Sequence, residues 1–287
     1  MAELLRQDLD SAARRLFDHE AGVRLGDDPE AMHQARVGIR RLRSTLRTFQ
    51  VVLDREWSGA LRAELAWMAE LLGAVRDADV LLERLRHDLA TLPEADADAE
   101  VGARLLRRLE TGREAHRATL LEAMDGRRHA ALRDRVAAAV QAPELLPAAE
   151  ESALQAALPL VAKRWRRLRR QVRQAGPDPA DEQLHQIRIE AKRCRYAAEA
   201  VIPVVGDPAR AFAKAVAALQ EVLGEQHDAV VAQAWLRQAA ASTGTRRPEA
   251  FVAGQLLATE HARATAARTA WRKTWNKAAA KKLRHWF

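Results

Sequence analysis

The chain has 287 residues, 48% of them apolar and only 5% aromatic, which is enough to bury a core without staples and poor in strand-forming side chains. Its formal charge of +8 is unevenly spread: residues 1–150 carry 23 Lys+Arg and 27 Asp+Glu (23 − 27 = −4), and residues 151–287 carry 24 and 12 (24 − 12 = +12). The single cysteine, Cys194, excludes an intramolecular disulfide framework and points to a reducing, cytoplasmic setting, the charged N-terminus excludes a secretory leader, and no run approaches the ~20 apolar residues of a membrane span.

Turn signals divide the chain at Gly26-Asp27-Asp28-Pro29, Leu92-Pro93-Glu94, Asp125-Gly126, Pro143 to Pro147, Gly176 to Pro179, Gly206-Asp207-Pro208 and Ser242 to Pro248. The segments between them have helical periodicity, giving about eight main helices and no strand. Asp28 and Asp181 stand where N-caps are expected. The acids Asp96, Asp98 and Glu100 read as a helix start, where carboxylates favour the dipole.

The helix from Met32 to Val52 carries His33, Arg36, Arg40, Arg43 and Arg47 in one stripe, at ~100° per residue. Leu42, Leu46 and Phe49 lie opposite, and Arg41 flanks the stripe. A solvated face ordinarily alternates sign to gain i,i+4 pairs, whereas this stripe contains no acid.

The helix around Lys163 to Arg173 is more basic still. Lys163, Arg166, Arg167 and Arg170 surround an apolar seam of Val161, Trp165, Leu168 and Val172. Next, His185, Arg188, Lys192 and Arg195 form a second stripe, flanked by Arg193 and ending at the acidic Glu199. The C-terminal helix is expected to present Lys273, Lys277, Lys281 and Arg284 on one face and core Trp271, Trp275 and Trp286 on the other.

The two stripes belong to an internal repeat. His33-x-x-Arg36-Val37-x-Ile39-Arg40-Arg41-x-Arg43 returns as His185-x-x-Arg188-Ile189-x-x-Lys192-Arg193-x-Arg195, at 185 − 33 = 152. Arg14-Arg15-Leu16 matches Arg166-Arg167-Leu168 at the same offset. Leu72-Gly73-x-x-x-Asp77-Ala78 matches Leu223-Gly224-x-x-x-Asp228-Ala229 at 223 − 72 = 151, with His227 before Asp228 and Arg76 before Asp77. The chain is therefore expected to be all-α, two four-helix bundles from an internal duplication, residues 1–145 and 146–287, related by a pseudo-two-fold axis. A groove or pore at such an axis receives the same side chains from both halves.

Arginine grips phosphate oxygens through its planar fork, lysine acts as a point charge, and histidine adds a donor that titrates near neutrality. A line of such groups suits a line of phosphates better than one small anion. Asp77 and Asp228 are expected to tie down an Arg or His, with metal ligation or general-base work as the sharper alternative. Phosphate-cradling glycine loops, Gly-x-Ser-x-Gly elbows and His-Glu-x-x-His or Cys-x-x-Cys pairs do not occur.

These motifs, from His33-x-x-Arg36 through Leu184-His185-x-x-Arg188 and Lys192-Arg193-x-Arg195-Tyr196 to Leu223-Gly224-x-x-His227-Asp228-Ala229-Val230, resemble the CHAD family, the conserved histidine α-helical domain. The resemblance covers essentially the whole chain. It implies two four-helix bundles about a pseudo-two-fold axis, with inorganic polyphosphate held on a central basic surface, often at cytoplasmic polyphosphate granules beside other granule proteins. It implies no reaction, cofactor, metal or membrane. The site is then expected on the two stripes with Arg41, Arg193 and His227, extended by Lys163, Arg166, Arg167 and Arg170. A nucleic-acid-binding protein is the runner-up, and a phosphate-processing enzyme using Asp77, Asp228 or His227 with a metal is the third reading.

Overall fold

The computed structural model describes residues 1–26, 28–92, 99–150, 152–242 and 246–287; Asp27, the turn at Pro93-Glu94, the acids Asp96 and Asp98, and residues 243–245 lie outside them. The described residues form eleven α-helices: α1 (Ala2–Phe17), α2 (Glu20–Leu25), α3 (Pro29–Thr48), α4 (Arg55–Thr91), α5 (Ala99–Asp125), α6 (Arg127–Gln141), α7 (Ala153–Gln174), α8 (Asp181–Ala200), α9 (Ile202–Val205), α10 (Asp207–Ala241) and α11 (Arg247–Ala278). There is no strand among the described residues, only an isolated bridge between Leu53 and Leu145, and no helix is long and apolar enough to cross a membrane.

The elements follow the repeat. α3 and α8 are both 20 residues long and begin 181 − 29 = 152 residues apart. The long helices α4 and α10 begin 207 − 55 = 152 apart. Where the second half has one helix, α11, the first has α5 and α6, broken at Gly126.

Local chemistry sets the starts. The Asp28 carboxylate accepts the Glu30 N–H at 2.8 Å with Pro29 in the first turn, and Asp54 accepts the Trp57 N–H at 2.9 Å. At α8 the cap is Ala180 rather than Asp181: the Ala180 N–H donates to the Gln183 side chain at 2.9 Å. Asp181 instead accepts from Gln226 and Arg268 and ties α8 to α10 and α11. The C-terminal helix also ends earlier than expected. α11 stops at Ala278, and Lys281–Leu283 form a 3₁₀ turn. Arg284 folds back to donate to the Ala279 carbonyl at 2.8 Å, so it and Trp286 are not on α11.

The α1–α3 crossing depends on Gly38. A Cβ there would lie 2.7 Å from the Leu16 nitrogen and 2.8 Å from the Ala12 oxygen. The core ignores the boundary between the halves. Leu5, Leu9, Ile39, Leu42, Leu46 and Leu65 join Val161, Leu168, Leu184, Ile187, Phe212 and Trp271 in one buried cluster. A smaller cluster, including Leu85, Leu105, Leu236 and Leu256, seals α4, α5, α10 and α11. The segment joining the halves is fastened at the α3–α4 turn, where the Asp54 N–H donates to Glu144 and the Leu146 N–H to Val52, both at 3.0 Å.

Candidate anion-binding site

The helices carrying the two stripes, α3 and α8, pack against each other. Beside them, α4 and α10 close a cavity of about 340 Å³. α3 contributes His33, Arg36 and Arg40; α8 contributes Arg188 and Lys192; α10 contributes His227 and Asp228. From α4 come Arg76, Asp77 and Arg84. The apolar faces of α3 and α8 fill the core, so the opposite stripes must turn toward this space.

Six of the residues expected from sequence therefore share one cavity: His33, Arg36, Arg40, Arg188, Lys192 and His227. Arg36 donates to Asp77 at 2.6 Å and to the Gly73 carbonyl at 3.0 Å, so Asp77 does tie down an arginine. Arg40 donates to the Tyr196 hydroxyl at 2.6 Å across the α3–α8 contact. His185 stands behind the lining, its Nδ1 3.1 Å from Nδ1 of His227. One of those nitrogens must carry a hydrogen for that contact to be a bond.

The charges in the cavity are not balanced. Among the described residues, the Nε–H groups of Arg40 and Arg188, which line the cavity, are buried without an acceptor, as is that of Arg195 outside it. Burial, and then Arg40, Arg188 and Arg36, lower the Lys192 ammonium to about 7. Burial, and then Arg188 and His185, lower His227 to about 4. Burial also lowers His33 and His185 and raises Asp228, which faces Arg188 and Arg84. The cavity thus holds several N–H donors at its edge and disfavours its own positive charge, a condition an entering anion would relieve.

The other expected residues lie elsewhere. Arg41 is held between Asp8 at 2.8 Å and Glu199 at 3.1 Å, on the side of α3 that meets α1. Arg195 pairs with Glu199 at 3.3 Å and lies over the Tyr196 ring. Arg47 sits about 10 Å along α3 beyond Arg40, at 1.5 Å per residue, and does not line the cavity. It meets Arg193, Arg62, Arg164 and Arg43 at the far end of the α3–α8 contact. Burial and those arginines lower Arg47 to about 10, and Arg193 bonds Glu190. The repeat offset relates the two ends: Arg41 with Glu199 has as its mate 41 + 152 = 193 with 199 − 152 = 47, so one end is an ion pair and the other sets arginine against arginine. Lys163, Arg166, Arg167 and Arg170 are exposed on α7, which contributes nothing to the cavity lining.

Sequence reasoning missed Arg76, Arg84 and Tyr196. Arg76 was within reach, because it occupies the repeat position of His227. Arg84 aligns with Trp235, so only folding reveals it. Among the described residues no group of three His, Cys, Asp or Glu side chains comes close enough to hold a metal ion.

The fold is an all-helical one in which the two halves of the chain converge on a cation-lined cavity. More particularly, the chain is a member of the CHAD domain family, which it matches over residues 7–237. It is similar to PptA from Streptomyces chartreusis, at 30% identity and a TM-score of 0.78, over 96% of this chain and 98% of that one. It is similar also to the crystal structure of the CHAD domain from the plant Ricinus communis, at 29% identity and a TM-score of 0.74, over 96% and 91%. The uncharacterized protein Rv2226 of Mycobacterium tuberculosis is 34% identical over 241 residues, 82% of this chain. This chain spans 45% of the length of that relative.

Proposed function

We propose that the protein binds linear inorganic polyphosphate in the α3–α4–α8–α10 cavity, without a reaction, in the cytoplasm and at polyphosphate granules where other granule proteins gather. The carrying observation is the convergence of His33, Arg36, Arg40, Arg188, Lys192 and His227 from both halves on one cavity with Asp77 and Asp228 as its acids. The guanidinium groups of Arg36, Arg40 and Arg188 along the cavity suit phosphate oxygens. The Arg43–Arg47–Arg62 cluster at the other end of α3 supplies further contacts to a polymer long enough to reach it.

The test is binding of long-chain polyphosphate against an equal-charge duplex DNA competitor, at low and moderate salt. Tight binding that weakens steeply with salt and that DNA does not displace supports the proposal. Equal displacement by DNA replaces it with a nucleic-acid reading. Metal-dependent phosphate release that disappears in Asp228→Ala would replace it with an enzyme.

A further inference from the structure

The cations of α7 have no part in the cavity, yet they do not lie on an ordinary solvated face. α7 contains no Asp or Glu, and neither does the chain after Glu260. These two acid-free segments meet. Trp165 of α7 stacks on Trp275 of α11, with ring centroids 5.1 Å apart. The C-terminal turn then closes over them, with the Arg284 guanidinium 4.8 Å above the Trp165 ring. Between the segments runs an open groove of about 690 Å³. Its charged and titratable lining consists of Arg169, Arg173, Lys281, Arg284 and His285.

Among the described residues, none of these five groups pairs with a carboxylate, whereas Arg263 and Arg268, earlier on α11, are both ion-paired. Arg284 is fixed in place by two bonds to the Ala279 carbonyl, at 3.2 and 2.8 Å. Arg169, Arg173, Lys281 and His285 are exposed. The paired tryptophans are buried, at 5% and 9% exposure, so no aromatic face is free for a base to stack on. The groove therefore offers charge and N–H donors beside the apolar edges of Trp165, Val172, Trp275 and Ala279. It shares no lining residue and no helix with the cavity.

We infer that this groove is a second, separate seat for phosphate polymer, so that one protein molecule joins two polymer segments. The inference rests on the polyphosphate reading of the cavity and adds to it a cross-linking activity. No covalent step is involved.

The test compares wild type, the groove variant Arg169→Gln/Arg173→Gln/Lys281→Gln, and the cavity variant Arg40→Gln/Lys192→Gln. All three groove positions are exposed, so folding is preserved. Calorimetric titration with tripolyphosphate should give two equivalents for wild type and one for each variant. Mixed with long-chain polyphosphate, wild type should form light-scattering particles. The groove variant should bind the polymer without forming them, with a salt slope lower by about 1 per cation removed. Two equivalents, or undiminished particles, in the groove variant overturn the inference and leave the cavity reading intact. No tripolyphosphate bound by wild type overturns the cavity reading itself. Groove-dependent binding of duplex DNA or anionic phosphatidylglycerol vesicles in place of polyphosphate overturns the choice of partner.

Discussion

Two charged clusters lie side by side in this protein and are built on opposite principles. Where α4, α10 and α11 meet, arginines are paired with carboxylates. Arg84 donates to Glu260 at 2.6 Å and to Glu225 at 2.6 Å, and Arg263 grips the fully buried Asp88 at 2.5 and 2.7 Å. The cavity, which Arg84 also lines, gathers cations from α3 and α8, leaves the buried Nε–H groups of Arg40 and Arg188 unanswered and drives Lys192 to about 7. Both cost desolvation. The first recovers it by internal pairing and so serves the fold. The second does not, and the fold holds it together regardless. A cluster kept against its own repulsion is where the proposed polyanion would recover that cost.

The comparison breaks first at Asp88. Asp88→Ala removes two charge-assisted hydrogen bonds from Arg263, which keeps Glu260 at 3.0 Å, and should cost about 3 kcal/mol of stability in urea unfolding. The affinity of the remaining folded protein for polyphosphate should hardly change. An unchanged unfolding midpoint would show that the network is ornamental.

The cavity should behave in the opposite way. Arg40→Gln with Lys192→Gln should weaken polyphosphate binding about 100-fold, from two charge-assisted contacts, while unfolding stability stays level or rises as repulsion is relieved. Equal losses in this variant and in the surface control below would place the site elsewhere.

The pH dependence sharpens the contrast at a single residue. Lys192 titrates near 7 in the free protein, and a bound polyanion returns it toward its ordinary 10.5. Binding then takes up a proton, and affinity should fall as pH rises above about 7 by up to tenfold per unit. Stability of the free protein should move the other way. Between about 7 and 10.5 the unfolded chain binds the lysine proton and the native state does not, so the unfolding free energy rises with pH. Lys192→Arg should flatten both trends, which binding isotherms and melts from pH 6 to 9 would measure. The smallest effect belongs to Arg246→Gln/Arg247→Gln, exposed at the start of α11, where affinity should stay within about twofold.

The stripes were legible because they depend on periodicity alone. His33, Arg36 and Arg40 share a face by helical geometry, and the repeat placed Arg188 and Lys192 on its counterpart. Arg43, Arg47 and Arg193 lie outside the cavity lining for the same reason: periodicity says which way a side chain faces but not how far along the axis the neighbouring helix leaves room. Arg41 carried a motif position but packs beside Asp8 of α1, a partner 33 residues away that no local pattern announces.

By itself the sequence determined the all-helical class, most of the turns between helices and the acid-free segments, since these follow from propensity, turn chemistry and charge counted along the chain. The tertiary structure decided which cations stand against acids and which against one another. That division depends on the crossing of α3 with α8 and on how far α4 and α10 lie from both. Coulomb energies and desolvation fall off over a few ångströms in space, and a separation in residues cannot supply that distance.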